Sequence, residues 1–324
     1  MPEVSYTSGK IVATALGAAV TLGAGALAWG TLIERSRFTL RREIVPVLAP
    51  GARSLTVLHL SDLHMAPWQT DKQDWVRSLK VFEPDLVINT GDNMGHQDGL
   101  SGVAYALEPF RGIPGVFVNG SNDYYGPTPK NPLRYFSGPS SHKHTQTELD
   151  VTKMERFFED ELGWLSLNNT ARAMSIRGSR IEFFGVNDAH RNWDRLDKLT
   201  GAIDTERENV EWADAPGPEV VSVGVTHAPY RRVLDAFVTH GADVIFGGHT
   251  HGGQVRIPGV PALVTNCDIP REQASGLSHW EHAGHSAYLN VSAGVGTSIY
   301  APVRFACPPE AVVVTLTARD ISYS

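Results

Sequence analysis

Five times in this chain a short, apolar, β-rich segment breaks abruptly into a polar tip made of Asp, His, Asn and Gly. Ser54 to Leu60 runs into Ser61-Asp62-Leu63-His64, and Asp85 to Asn89 into Gly91-Asp92-Asn93. Val116 to Val118 ends in Gly120-Ser121-Asn122-Asp123, Val220 to Val225 in His227, and Val244 to Phe246 in Gly248-His249-Thr250-His251. Apolar runs this short, bounded by turn residues, read as buried strands. Helical stretches are expected at 72–82, 148–162 and 231–240, so strand and helix alternate and the pairing is largely parallel. Further strands are expected at 173–176, 181–186, 254–257, 288–291 and 311–316, some of them antiparallel. In an open α/β sheet, ligands bind where strands end, so the five polar tips define one candidate site.

Composition narrows the class. Of 324 residues, 42% are hydrophobic and 19% charged, which describes a folded globular chain. Lys+Arg number 28 against 35 Asp+Glu, a formal net charge of -7, and no basic cluster appears in the body, which argues against nucleic-acid binding. Two cysteines, Cys267 and Cys307, rule out a disulfide scaffold and a four-cysteine zinc site.

No charge interrupts Ile11 to Ile33, a span of 23 residues and long enough at ~1.5 Å per residue to cross a bilayer core. A cleaved signal peptide is the rival, but its apolar region runs only ~7–15 residues. The expectation is a single-pass membrane anchor over 1–34 and a juxtamembrane linker over 35–53, followed by one catalytic domain over 54–324. Arg35, Arg37, Arg41 and Arg42 favour a cytoplasmic position for that domain.

The strand-end groups Asp62, His64, Asp92, Asn122, His227, His249 and His251 supply two carboxylates, one amide and four imidazoles. These are donors for Mn, Fe or Zn rather than Ca or Mg, and seven donors exceed the need of one ion. In order and type the motifs resemble the calcineurin-like metallophosphoesterase family. The likeness rests on Asp62-Leu63-His64, Gly91-Asp92, Gly120-Ser121-Asn122-Asp123, Thr226-His227-Ala228-Pro229 and Gly248-His249-Thr250-His251-Gly252-Gly253-Gln254, and it covers the chain from about Leu55 onward.

That resemblance implies a four-layer α/β/β/α sandwich with two mixed sheets. It implies two divalent metal ions, one on Asp62, His64 and His251, the other on Asn122, His227 and His249, with Asp92 bridging. A hydroxide between the ions would attack the phosphorus, with Asp92, Asn122, Asp123 and His249 as catalytic groups. The short anchor and the His-Thr-His-Gly-Gly-Gln segment look most like bacterial membrane-associated members, a related branch of which cleaves UDP-2,3-diacylglucosamine at its pyrophosphate. The implied substrate is therefore a lipid-linked or nucleotide-linked phosphodiester or pyrophosphate. A non-catalytic scaffold and a protein phosphomonoesterase are the alternatives.

The third motif departs from the family, which places a catalytic His after the amide ligand. Here Asp123 follows Asn122, and an ungapped alignment would instead put Ser121 in the ligand's place. An aspartate beside two cations stays ionised and is a poor proton donor, which favours leaving groups that need little protonation, with His96, His190, His142 and His144 as other proton sources. Asn93, Tyr124, Lys130, Arg134 and His190 are candidate substrate contacts. A solvated loop, or orientation of Asp92 in the case of Asn93, accounts for the same residues without substrate.

Overall fold

A computed structural model describes residues 4–129, 146–210 and 217–320. Lys130, Arg134, His142 and His144 lie outside the described residues. Twelve strands are described: β1 (Thr39–Leu48), β2 (Leu55–Leu60), β3 (Leu86–Asn89), β4 (Gly115–Phe117), β5 (Leu165–Ser166), β6 (Thr170–Ile176), β7 (Ser179–Gly185), β8 (Val221–Val225), β9 (Val244–Gly247), β10 (Gly276–His282), β11 (His285–Val291) and β12 (Glu310–Ala318). They form two six-stranded mixed sheets, ordered β1-β12-β2-β3-β4-β5 and β10-β11-β9-β8-β7-β6. The helices are α1 (Val4–Leu32), α2 (Thr70–Ser78), α3 (Leu100–Leu107), α4 (Ser121–Tyr124), α5 (Val151–Arg156), α6 (Leu196–Asn209) and α7 (Arg231–Thr239).

The period-2 alternation of strand side chains explains the layers. On β2, Leu55 and Val57 face a core shared with Phe183, Val223, Val244 and Phe246 of the other sheet. Leu58 and Leu60 face the opposite way, into a second core with Val76, Val103 and Phe158 from the helical side. Ile245 of β9 enters a third core with Leu199, Ile203 and Phe237 of α6 and α7. Three apolar layers between four structural ones make the expected α/β/β/α sandwich, and parallel β2-β3-β4 and β7-β8-β9 bring their C-terminal ends to one edge.

Four expectations change. Residues 35–53 are not a linker, because β1 pairs in parallel with β12 along nearly its whole length. Two of the arginines taken to favour a cytoplasmic position are engaged by protein: Arg41 bonds Glu43, Glu310, Asn290 and the Val291 carbonyl, and Arg42 lies over Phe82. Although α1 takes in nearly all of the uncharged stretch, among the described residues no helix is long and apolar enough to cross a membrane, so the expected anchor is not supported. Residues 254–257 contribute only an isolated bridge from Val255 to Phe305, since Gly252 and Gly253 hold that segment in a tight turn with φ of 60° and 83°. Cys267 and Cys307 are not disulfide-bonded.

Candidate metal centre

Five of the seven expected ligands take a left-handed backbone: Asp62, His64, Asp92, His249 and His251, with φ between 40° and 66°. Such a conformation costs a side-chain-bearing residue ~1–2 kcal/mol, and it recurs where surrounding bonds over-determine a functional geometry. Those bonds are visible. The Asp62 and His64 N–H groups donate to the Gly91 and Asp92 carbonyls, locking the first two strand-end loops together. Gly120 and Gly248 allow close approach of backbone to the centre, since a Cβ at Gly120 would collide with the Asp92 carboxylate and the His227 ring, and one at Gly248 with the Ser61 hydroxyl and Asp62.

The donors converge. Asp62 Oδ1 lies 3.9 Å from His64 Nε2 and 3.6 Å from His251 Nε2, and those two nitrogens are 3.3 Å apart. Asp92 Oδ2 lies 3.6 Å from His64 Nε2 and 3.5 Å from His227 Nε2, so one oxygen faces both halves of the cluster. His249 Nδ1 is 3.3 Å from His227 Nε2. Asn122 donates its backbone N–H to Asp92 Oδ1 at 2.8 Å and its amide to Oδ2 at 2.6 Å. Two groups of ligand atoms within 4.8 Å emerge, Asp62 with His64 and His251, and Asp62 with Asp92 and His227.

The remaining imidazole nitrogens of His227, His249 and His251 are held in place. His227 Nδ1 donates to the Thr90 carbonyl at 2.7 Å, which turns Nε2 toward the cluster. His249 Nε2 is 3.2 Å from the Asn266 carbonyl, and His251 Nδ1 is 3.3 Å from Arg304 Nη2. Lys72 Nζ, buried, donates to the Leu63 and His64 carbonyls at 2.6 and 2.8 Å.

Charge within the pocket is unbalanced. Burial pushes the Asp62 carboxyl up to about 6, with His227 opposing and Asp92 reinforcing. Burial would also raise Asp92, but His227, His64 and the bonds from Asn122 outweigh it and hold that carboxyl well below its usual range. For His227 burial disfavours the imidazolium, yet Asp92, Asp62 and Asp188 overcome it and raise the ring to about 9. Burial takes His64 down to about 4 and His249 and His251 well below the usual histidine value. A proton on His227 thus stands where a cation is wanted. The buried Asp62 Oδ1 has no hydrogen-bond partner, and carboxylate, amide and neutral imidazole donors converge on it, so the residues fit divalent metal ions.

Other candidates fall into place differently. Asp123 does not face the cluster: its carboxylate accepts the N–H groups of Gly120 and Asp92 at 2.9 Å, Asn93 at 2.7 Å and Met94 at 3.3 Å. It cradles the Asp92 loop, and burial together with the Asp92 charge raises it to about 7. The Tyr124 hydroxyl accepts from Asn119 and Asn187, and its ring packs edge-on against Trp193, so it is built into the wall rather than offered to substrate. Asn93 bonds Asn89 through Oδ1 while its buried Nδ2 has no partner. His190 packs on His249 with ring centroids 4.6 Å apart and contacts the Tyr230 hydroxyl at 3.0 Å.

Sequence reasoning missed Lys72, Arg304 and Asp188. Asp188 is fully buried, one carboxylate oxygen caps the His190 N–H, and the other has no hydrogen-bond partner. Its position after β7, in Gly185-Val186-Asn187-Asp188, was the available signal; Lys72 and Arg304 sit in no motif at all.

Residues 55–253 match the family described as calcineurin-like phosphoesterase. Among curated relatives, the uncharacterized protein YpbG of Bacillus subtilis is 26% identical over 320 residues, covering 95% of this chain and 96% of that one. The uncharacterized metallophosphoesterase YkoQ of Bacillus subtilis is 25% identical, covering 76% and 78% respectively. Among solved structures, TT1561 of Thermus thermophilus aligns over 75% of this chain and 91% of that one, with 10% identity and a TM-score of 0.42. With its polar strand ends gathered at one edge of a double-sheet sandwich and more than half its length matched, the chain belongs to the calcineurin-like phosphoesterase family and is a phosphoester hydrolase.

Proposed function

We propose that this protein hydrolyses a phosphodiester or pyrophosphate bond in a lipid-linked or nucleotide-linked substrate, with two divalent ions held at the strand ends. Asp62, His64 and His251 would hold one ion and Asn122, His227 and His249 the other, with Asp92 between them. The observation that carries the reading is the placement of Asp92 Oδ2, 3.6 Å from the His64 nitrogen and 3.5 Å from the His227 nitrogen. Bound there, the ions would make a water acidic enough to attack near neutral pH and would neutralise phosphoryl charge.

The chain's own groups set the preference. Asn93 Nδ2, buried and without a partner, is a donor for a phosphoryl oxygen, and His190 lines the approach beside His249. No imidazole follows Asn122, and the Asp123 carboxylate is occupied by backbone N–H groups, so the usual position of a proton donor offers none. Anhydrides and activated diesters tolerate that lack because their leaving groups are weak bases. Trp68, 60% exposed four residues beyond His64 and edge-on to His96, offers an apolar face for the rest of the substrate.

Hydrolysis of bis(p-nitrophenyl) phosphate and p-nitrophenyl phosphate by the full chain, stripped of metal and restored with Mn²⁺ or Zn²⁺, tests this directly. Metal-restored turnover that favours the diester and is lost in Asp92→Asn is expected. Faster turnover of the monoester would overturn the substrate class, and a folded, metal-loaded protein inert to both would favour a scaffold.

A further inference from the structure

Arg304 is fully buried, and among the described residues no carboxylate forms an ion pair with it. A buried charge without a counter-ion is costly unless polar groups surround it closely. Here they do: Nη1 donates to the His251 carbonyl at 3.0 Å, and Nη2 donates to the carbonyls of Ala293, Gly294 and Gly296 at 2.8, 3.0 and 2.7 Å. That second segment is tied to Asp62 and its neighbour, because Gly296 and Val295 donate their N–H groups to the Asp62 and Ser61 carbonyls at 2.6 and 3.0 Å. One guanidinium therefore joins the backbone of His251 to the segment paired with Asp62, and both residues have left-handed φ angles, 49° and 50°.

Behind Arg304 stands the end of α1. The Arg304 N–H donates to the Gly30 carbonyl at 3.1 Å. Glu34, 6% exposed, accepts the Cys307 N–H at 2.8 Å with Oε1 and the Trp29 indole N–H at 2.8 Å with Oε2. We propose that Arg304 is a positioning residue for the half of the centre formed by Asp62, His64 and His251, and that the Gly30–Glu34 junction holds Arg304 in place. The end of α1 is then part of the support of that half. The inference rests on His251 being a metal ligand. Its logic is that a left-handed residue released from its carbonyl bond relaxes, and Nε2 then leaves the Asp62 oxygen.

Mn²⁺ titration calorimetry on the full chain tests this, with Co²⁺ absorption as the spectroscopic check on coordination and metal-free thermal unfolding as the control for folding. The wild type is expected to bind two ions and His251→Ala one; a wild type that binds fewer than two, or a His251→Ala that still binds both, overturns the two-metal reading itself. With that reading intact, Arg304→Met is expected to weaken one of the two sites by ~10–100-fold, the usual effect of losing a partner that orients a ligand. Arg304→Lys should recover part of the loss, and Glu34→Gln should weaken the same site less, with the Co²⁺ spectrum altered at that site only. Should Arg304→Met fail to fold, Arg304→Lys and Glu34→Gln carry the test. Wild-type dissociation constants for both ions in whichever of these variants fold would overturn the proposal.

Discussion

Behind His64 and His251 stand two buried basic side chains, Lys72 and Arg304, each donating to the carbonyl of the histidine it backs, with burial and the Arg304 charge lowering Lys72 to about 7. Behind His227 and His249 stand the Thr90 carbonyl and Asn266, with the buried Asp188 carboxylate close enough to His227 to favour its imidazolium. The donor atoms of the two halves are alike, but their electrostatics are not. Positive charge behind the first half opposes a cation there, while the second half concentrates enough negative charge to keep a proton on His227. Two ions in similar cages would thus bind with different affinity and different pH dependence. A chain of buried bonds also links the second half to the N-terminal strand, from Arg41 through Asn290, His59 and the Thr90 hydroxyl to the Thr90 residue that orients His227.

The largest effect should erase the difference between the halves. Asp92→Asn removes the charge that faces both, and metal assistance is worth several kcal/mol, so activity should fall by at least ~10³-fold. Phosphodiester turnover measured beside metal content checks it, and retained turnover with two ions bound would remove Asp92 from the reading. Next come the glycines that admit each half. Gly248→Ala intrudes on Ser61 and Asp62, and Gly120→Ala on Asp92 and His227; overpacking of ~1–3 kcal/mol translates into ~5–150-fold weaker metal binding. Gly248→Ala should weaken chiefly the first half and Gly120→Ala the second. Equal losses at both sites in both variants would mean that the halves are not separable.

Most of this centre could be read from the chain because strand ends are simple to recognise: five apolar segments stop at Asp, His and Asn, and the fold groups Asp62, His64, Asp92, His227 and His251, with His249 beside His227 and Asn122 bonded to Asp92. What lay hidden was held by tertiary contact alone. Lys72 and Arg304 carry no local pattern that separates them from surface cations, and only the three-dimensional structure shows their heads turned onto backbone carbonyls. The strand β1 escaped notice because Pro46 and four basic residues around it look like a linker, whereas an edge strand tolerates both. Asp123 shows the opposite case: its position in a motif suggests chemistry, while tertiary structure adds four backbone N–H groups bonded to its carboxylate that the motif does not reveal.

The pH dependence of metal binding sharpens the comparison further. His227 must give up its proton to bind a cation, and in the metal-free protein it holds that proton up to about pH 9. His64, lowered to about 4, and His251, lower than usual, are neutral well below pH 7, and Asp62 ionises at about 6. Between roughly pH 7.5 and 8.5, above the value near 7 to which burial lowers Lys72, affinity in the second half should therefore rise about tenfold per pH unit while the first changes little, one proton being displaced from the histidines of the former and none from those of the latter. Calorimetry in buffers of different ionisation enthalpy reads the proton directly. Equal slopes for both ions would break the electrostatic distinction.

The smallest effect concerns Asp123, which belongs to neither half. Asp123→Asn keeps one acceptor oxygen but turns an amide toward N–H donors of Gly120 and Asp92, leaving buried donors unpaired at a cost of ~1–3 kcal/mol. Thermal stability should drop by that amount with or without metal, and turnover should fall modestly through a loosened Asp92. The ratio of rates for good and poor leaving groups should not move, because both Asp123 oxygens are turned onto backbone N–H groups of the Asp92 loop rather than toward the metal ligands. If that ratio shifts strongly toward good leaving groups in the variant, Asp123 is delivering the proton, and the preference for anhydrides and activated diesters loses its physical basis.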